Sequence, residues 1–243
     1  MEPLYQSKMQ CICCEAVYTT SRVRPSFKRA TKTDTDFCGY YKADVNPDYY
    51  VVRVCPNCGY ASTENGMERL NDHQKKQYLD TIGSRWQKQD YGGRRSGQDA
   101  LACYKLALLS AQTIGEKDRV VAGILHHIAW LYRYESNQNE EKRFLRFALQ
   151  AYIRVYEAEG VELNNAKLMY LMGELNRRIG ELNEAVRWFS RIVNDKKIMD
   201  AAMIRASREQ WQFIREEMEA GRSGSSGSAN LGERDDPTIS TSA

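Results

Sequence analysis

The stretch Tyr170-Leu171-Met172-Gly173-Glu174-Leu175-Asn176-Arg177-Arg178-Ile179-Gly180-Glu181-Leu182-Asn183-Glu184-Ala185-Val186-Arg187-Trp188-Phe189 decides the reading of this chain. Leu168, Met172 and Leu175 recur at the spacing of a helix buried on one side, and so do Leu182, Ala185, Val186, Phe189 and Ile192. Gly180 between them suits the left-handed position that ends a helix. The stretch therefore reads as two helices joined by a tight turn. Gly173 and Ala185, one on each helix, are small enough for the helices to cross closely. Phe189 follows Ala185 by one turn and fills the space beside it.

This pattern resembles a tetratricopeptide repeat. Upstream, Ala129-Trp130-Leu131-Tyr132 followed by Ala148 and Tyr152 reads as a degenerate copy with its small residues further apart. A helix over 98–114, with Tyr104 and Ala107, supplies half of an earlier pair. Further stripes run through Val121, Leu125, Ile128 and Tyr132, and through Leu145, Leu149, Val155 and Tyr156, the latter closed by Gly160. Asn71 and Gln74 have capping-box spacing before Tyr78, Leu79 and Ile82. A hairpin of this kind buries one face only against its neighbours, so several must stack. An α-solenoid is the expected architecture of residues 63–219, with a terminal cap over 198–219. An ordinary helical bundle is the competing reading.

The 243 residues are 42% hydrophobic and 28% charged, as expected of a soluble globular chain. No apolar run approaches the roughly 18 residues of a membrane span. The first residues, Met1-Glu2-Pro3-Leu4-Tyr5-Gln6, do not resemble a signal peptide, which points to the cytoplasm. A net charge of +3 does not single out nucleic acid as partner. Residues 1–62 hold six of the seven cysteines and read as short strands, at Ala16–Thr20 and Tyr49–Val54, separated by turns. Residues 220–243 are rich in serine and glycine and read as a disordered tail.

Cys11-Ile12-Cys13-Cys14 and Cys55-Pro56-Asn57-Cys58-Gly59 carry the strongest chemical signal. Each supplies a C-x2-C pair. One tight turn can aim two thiolates at one point, and two such turns complete the tetrahedron that Zn2+ prefers. A single structural Zn2+ held by Cys11, Cys14, Cys55 and Cys58 in a zinc-ribbon-like domain is the expectation. A redox-active dithiol is the competing reading. Cys13 reads as a bystander, Cys38 as a packing thiol or a spare ligand, and Cys103 as core. Arg22, Arg24, Lys28, Arg29 and Lys32 form a basic run. It is either a nucleic-acid contact or a solvated loop balanced by Asp34, Asp36 and the metal–thiolate centre.

The chain also resembles the bacterial family known as domain of unknown function 2225. The resemblance rests on the first C-x2-C, on Asp36-Phe37-Cys38 with Tyr41, and on Asn46-Pro47-x-Tyr49-Tyr50. It continues through Val54-Cys55-Pro56-x-Cys58-Gly59-Tyr60-Ala61 and Ala129-Trp130-Leu131-Tyr132-Arg133. It spans roughly residues 5–217, and Glu15 departs from it where glycine is usual. The resemblance implies the two-part architecture and a bacterial cytoplasmic setting, and it brings no activity.

No phosphate loop, nucleophile elbow or metalloprotease helix is found. The leading expectation is a non-enzymatic interaction protein whose helical groove takes a peptide or protein. The alternatives are a zinc-ribbon nucleic-acid factor and a thiol redox sensor. His127, Arg133, Asn176 and Arg177 lie on the inner-layer helices outside the apolar stripes, and are candidate contacts for an acidic peptide or a carboxylate. Plain solvation of these side chains is the competing reading.

Overall fold

The computed structural model describes residues 2–42, 44–159 and 165–226. The chain opens with a hairpin of β1 (Leu4–Gln10) and β2 (Val17–Val23), paired antiparallel from Leu4 opposite Val23 to Gln10 opposite Val17. Two small antiparallel hairpins follow, β3 (Lys32–Thr33) with β4 (Gly39–Tyr40), and β5 (Arg53–Val54) with β6 (Ala61–Ser62). The strand expected at Ala16–Thr20 is the start of β2. The one expected over Tyr49–Val54 shrinks to β5. Pro47 begins a 3-10 turn over Pro47–Tyr50, and the Asn46 side chain accepts the Asp48 N–H at its start. A fixed proline φ and a satisfied cap override the strand preference of the tyrosines.

Seven helices follow among the described residues: α1 (Asp72–Thr81), α2 (Gly97–Ile114), α3 (Asp118–Tyr134), α4 (Gln138–Glu159), α5 (Ala166–Ile179), α6 (Leu182–Asn194) and α7 (Ala201–Ser226). Asn71 and Gln74 form the anticipated capping box of α1, and Ser96 with Asp99 forms another on α2. Gly115 and Gly180 close α2 and α5 with φ of 66° and 96°. The helix expected over 198–219 is α7, which starts at Ala201 and continues to Ser226, beyond the expected boundary at residue 220. Once a helix is nucleated, each further residue adds a hydrogen bond. The rest of the expected tail, 227–243, and the expected stop at Gly160 lie outside the described residues.

From α2 onward each helix packs chiefly on its neighbours in sequence, and α5 also reaches α7. Gly173 is required where α5 crosses α6, because a Cβ there would lie 2.7 Å from the Phe189 ring. Ala185 and Phe189 are fully buried. One apolar core extends from Val52, Val54 and Ala61 through Tyr104, Ile128, Leu145 and Met172 to Ile214. The β5–β6 hairpin thus shares its core with the helices. The architecture is mostly helical with small antiparallel hairpins. Among the described residues no helix is long and apolar enough to cross a membrane.

Candidate functional site

The two C-x2-C segments are the tips of two hairpins. Cys11–Ala16 joins β1 to β2, and Cys55–Tyr60 joins β5 to β6. The two tips use the same hydrogen bonds. Cys11 N–H donates to Ala16 O at 2.9 Å, and Glu15 N–H to Cys11 O at 2.9 Å. Cys55 N–H donates to Tyr60 O at 2.9 Å, and Gly59 N–H to Cys55 O at 2.8 Å. The residue after each second cysteine is left-handed, with φ of 74° at Gly59 and 63° at Glu15. Glutamate in that region is uncommon. The tip therefore imposes on Glu15 a geometry that suits glycine, and Lys75 of α1 anchors its carboxylate at 2.9 Å.

The four sulfurs of Cys11, Cys14, Cys55 and Cys58 lie within 4.8 Å of one another, and no disulfide joins any of the seven cysteines. Cys11 and Cys58 are 3.7 Å apart, as are Cys14 and Cys55. A tetrahedral ion with metal–sulfur bonds of about 2.3 Å sets its sulfurs about 3.8 Å apart. The donor set therefore fits a four-coordinate thiophilic metal, and the hairpin geometry is compatible with a zinc ribbon. Sulfurs this close cannot all ionise without a cation between them. Hydrogen bonds from Cys11 and Cys58 push the Cys55 thiol down, while the bond to Cys55 pushes Cys11 up. Cys13 N–H reaches Cys11 Sγ at 3.4 Å, and Asn57 Nδ2 reaches Cys14 Sγ at 3.5 Å. Both donors favour thiolate.

Helix α1 and a tryptophan cover the centre. Tyr78 is fully buried and packs edge-on against Tyr60, with ring centres 5.2 Å apart. The Trp86 indole lies over Gly59 so closely that a Cβ there would be 2.5 Å from it, and its Nε1 donates to Pro56 O at 3.0 Å. Cys13 is buried beside the centre but outside the four-sulfur group, as the adjacent-residue geometry implies.

The candidate groove residues are all engaged inside the protein. His127 lies 2.8 Å through Nδ1 from Gly123 O and stacks on Tyr104. Asn176 is buried and donates to Met172 O at 2.7 Å. Arg177 donates twice to Glu174, at 2.9 and 2.8 Å. Arg133 grips Asp36 with two bonds of 2.8 and 2.6 Å, and also reaches Asp34 at 3.0 Å and Glu141 at 2.8 Å. Its neighbours were not anticipated. Asp36 is fully buried, and the Trp130 indole donates to it at 3.1 Å. His126 Nε2 lies 3.3 Å and Arg178 3.4 Å from the same carboxylate. Burial alone would raise the Asp36 carboxyl, but the bonds from Arg133 and His126 prevail and hold it well below the usual carboxylate range. Glu174, also fully buried, accepts from Arg177, from Arg178 at 2.8 Å and from the Thr35 hydroxyl at 2.5 Å.

Asp36 therefore faces the helices rather than the basic run that sequence reading paired it with, while Asp34 meets both, with Arg133 at 3.0 Å and Lys32 of the run at 3.8 Å. The neighbouring Cys38 thiol donates to the Tyr134 hydroxyl at 3.4 Å, and burial pushes it up to about 12. One signal was available for this cluster. Asp36-Phe37-Cys38 and Trp130-x-x-Arg133, both quoted for the family resemblance, are its two halves.

Fold and site together define a mostly helical protein with a cysteine centre at the tips of two N-terminal hairpins. The chain belongs to the family described as an uncharacterised protein conserved in bacteria, domain of unknown function 2225, whose model matches residues 4–214. No curated protein and no solved structure matches it.

Proposed function

We propose that this chain is a non-enzymatic interaction protein of the bacterial cytoplasm, in which one structural Zn2+ stabilises a zinc-ribbon-like unit set against a tetratricopeptide-like solenoid. The observation that carries the reading is the closed cysteine set. Catalytic zinc keeps one coordination position open for water or substrate, whereas four thiolates fill all four. Cys11, Cys14, Cys55 and Cys58 lie within 4.8 Å of one another, and three of the four are buried. Sequential packing of the helices and the Gly173–Phe189 contact support the solenoid reading. On this reading the stack takes a peptide or protein, with Arg133 and Arg177 as walls of its inner side.

The nucleic-acid alternative relies on the basic run. Arg22 and Arg53 both pair with Glu64, and Arg24 lies over the Tyr5 ring, so part of that charge is neutralised internally. The redox alternative would use Cys13, Cys38 and the paired cysteines; burial raises Cys38, which makes that thiol a poor nucleophile, while the paired cysteines are the ones the metal reading engages.

The test uses purified full-length chain. Metal analysis is expected to give one zinc per chain. Chemical crosslinking in bacterial extract is expected to recover a defined protein partner that survives nuclease treatment. Loss of recovery after nuclease treatment supports the nucleic-acid reading instead. Absence of bound metal overturns the structural-zinc reading.

A further inference from the structure

We propose that the inner side of α3 and α5 is a recognition seat for an acidic peptide of the form Asp-x-Asp-aromatic, which the chain's own residues 34–37 occupy as an internal ligand. A partner segment of the same chemistry engages the seat by displacing them. The proposal rests on the interaction-protein reading and names its partner class and its control.

The occupant is built as a ligand. Residues 34–37 form the tip between β3 and β4, closed by Asp34 N–H to Cys38 O at 2.8 Å and Phe37 N–H to Asp34 O at 2.9 Å. The tip makes its own turn and reaches the helices through side chains. Asp36 meets Arg133, Trp130, His126 and Arg178, Asp34 meets Arg133, and the Thr35 hydroxyl meets Glu174. Phe37 lies against Tyr170, with ring centres 5.9 Å apart, and the Lys167 ammonium stands 4.8 Å over its ring. Two parallel N–H···O bonds from one guanidinium to one carboxylate are the geometry of specific anion recognition.

The charges match the same account. At the seat the helices supply Arg133, Arg177, Arg178 and Lys167 against Glu141 and Glu174. Glu217 of α7 also acts on Arg177, so the helices keep a positive excess there, and Asp34 and Asp36 bring the negative charge that meets it. An emptied seat is a basic slot with an aromatic wall.

Two features favour release. The arms of the hairpin are only two residues each, and Lys32 and Thr33 are exposed, so few backbone bonds tether the tip. Phe37 is held at φ 69°. A bulky residue in that region stores strain, and such strain gathers at ligand clamps and switches.

The probe is a labelled synthetic peptide of residues 32–41 carrying Cys38→Ser. The emptied variant combines Asp34→Gly, Thr35→Ser, Asp36→Gly and Phe37→Gly in the full chain, with zinc content and helical circular dichroism as checks. An internal ligand competes at high effective concentration, so the emptied variant is expected to bind the peptide at least about tenfold tighter than wild type. Binding is expected to weaken with salt and to vanish for a peptide with asparagine at both aspartates. A folded emptied variant that binds no better than wild type overturns the proposal. If that variant loses its helical signal, Asp34→Asn with Phe37→Gly, which keeps the Asp36–Arg133 pair and so only loosens the occupant, is expected to bind the peptide tighter than wild type by a smaller factor, and the absence of any gain overturns the proposal. Should both variants unfold, hydrogen exchange on wild type decides. Faster exchange at the Asp34 and Phe37 amides with saturating peptide supports displacement, and unchanged exchange overturns it. If a folded emptied variant ignores the peptide yet crosslinks the same extract partner as wild type, this proposal falls and the interaction-protein reading stands. If neither chain captures a partner while the peptide binds, the seat stands and the broader reading loses its support.

Discussion

The cysteine centre and the Asp36 cluster are both buried polar assemblies, yet they are put together in opposite ways. Each half of the cysteine centre is local: two residues separate Cys11 from Cys14, and Cys55 from Cys58, and each pair is fixed by the same two backbone bonds of a hairpin tip. The Asp36 cluster joins one local segment to two distant ones, since Arg133 and Glu174 lie 97 and 138 residues further on than Asp36. The first is a unit whose four sulfurs are close enough to hold a metal ion. The second is a contact between a hairpin tip and a helix stack, and its strength depends on how those parts meet. A buried ion pair of this kind is poor evidence of net stability but good evidence of a specified arrangement.

The largest effect that separates the two is loss of a zinc ligand. Cys55→Ser is expected to abolish stoichiometric zinc and unfold the two cysteine-bearing hairpin tips, because apparent binding free energies of about 10–16 kcal/mol are folding energy in such units. Metal analysis and near-ultraviolet circular dichroism check it. Full zinc in the variant would remove Cys55 from the centre. Far-ultraviolet signal from α3 to α7 should largely persist, since these helices supply most of the core they share with the β5–β6 hairpin.

Next comes Asp36→Ala. Removing one partner of a buried pair leaves Arg133 and Arg178 short of counter-charge, which costs about 3–5 kcal/mol. Urea unfolding should show this loss while zinc content stays at one per chain. Loss of zinc together with stability would mean that the two clusters are one unit.

Acid should erase that difference. The folded Asp36 carboxyl is depressed, so its contribution is complete above the unfolded value of about 3.9 and is lost as pH falls through the lower folded value. The stability gap between wild type and Asp36→Asn is therefore expected to narrow steadily as pH falls below about 4. Urea midpoints measured on the acid side test it, and a gap that stays constant with falling pH would assign the effect to packing.

A smaller effect isolates the helix stack from both clusters. Gly173→Ala gains about 1 kcal/mol of helix propensity but forces the buried Phe189 ring to move, at about 1–3 kcal/mol. A net loss of about 1 kcal/mol is expected, with zinc and acid behaviour unchanged. The smallest effect lies in the first cysteine tip. Glu15→Gly relaxes φ of 63° and gives up an exposed ion pair with Lys75, so a slight rise in the thermal unfolding temperature of the zinc-loaded chain is expected.

The same contrast governs what can be read in advance. Helix periodicity, the Asn71–Gln74 box, the glycine stop at 180, and the two C-x2-C tips are short-range patterns, and all reappear in the structure. The strand over Tyr49–Val54 did not, because Pro47 and Asn46 set a local turn that β-propensity does not register. Arg133 and Arg177 are on the helices expected, but treating them as open groove contacts left out the carboxylates that reach them.

The sequence by itself determined the period of the helices, where several of them stop, and which four thiols converge, because each of these is decided within a few residues by backbone geometry. Only the tertiary structure decided that a hairpin tip at 34–37 fills the inner side of α3 and α5. That outcome depends on the relative placement of segments about a hundred residues apart, and there burial makes unpaired charge so costly that Asp36, Arg133, Glu174 and Arg178 must find one another.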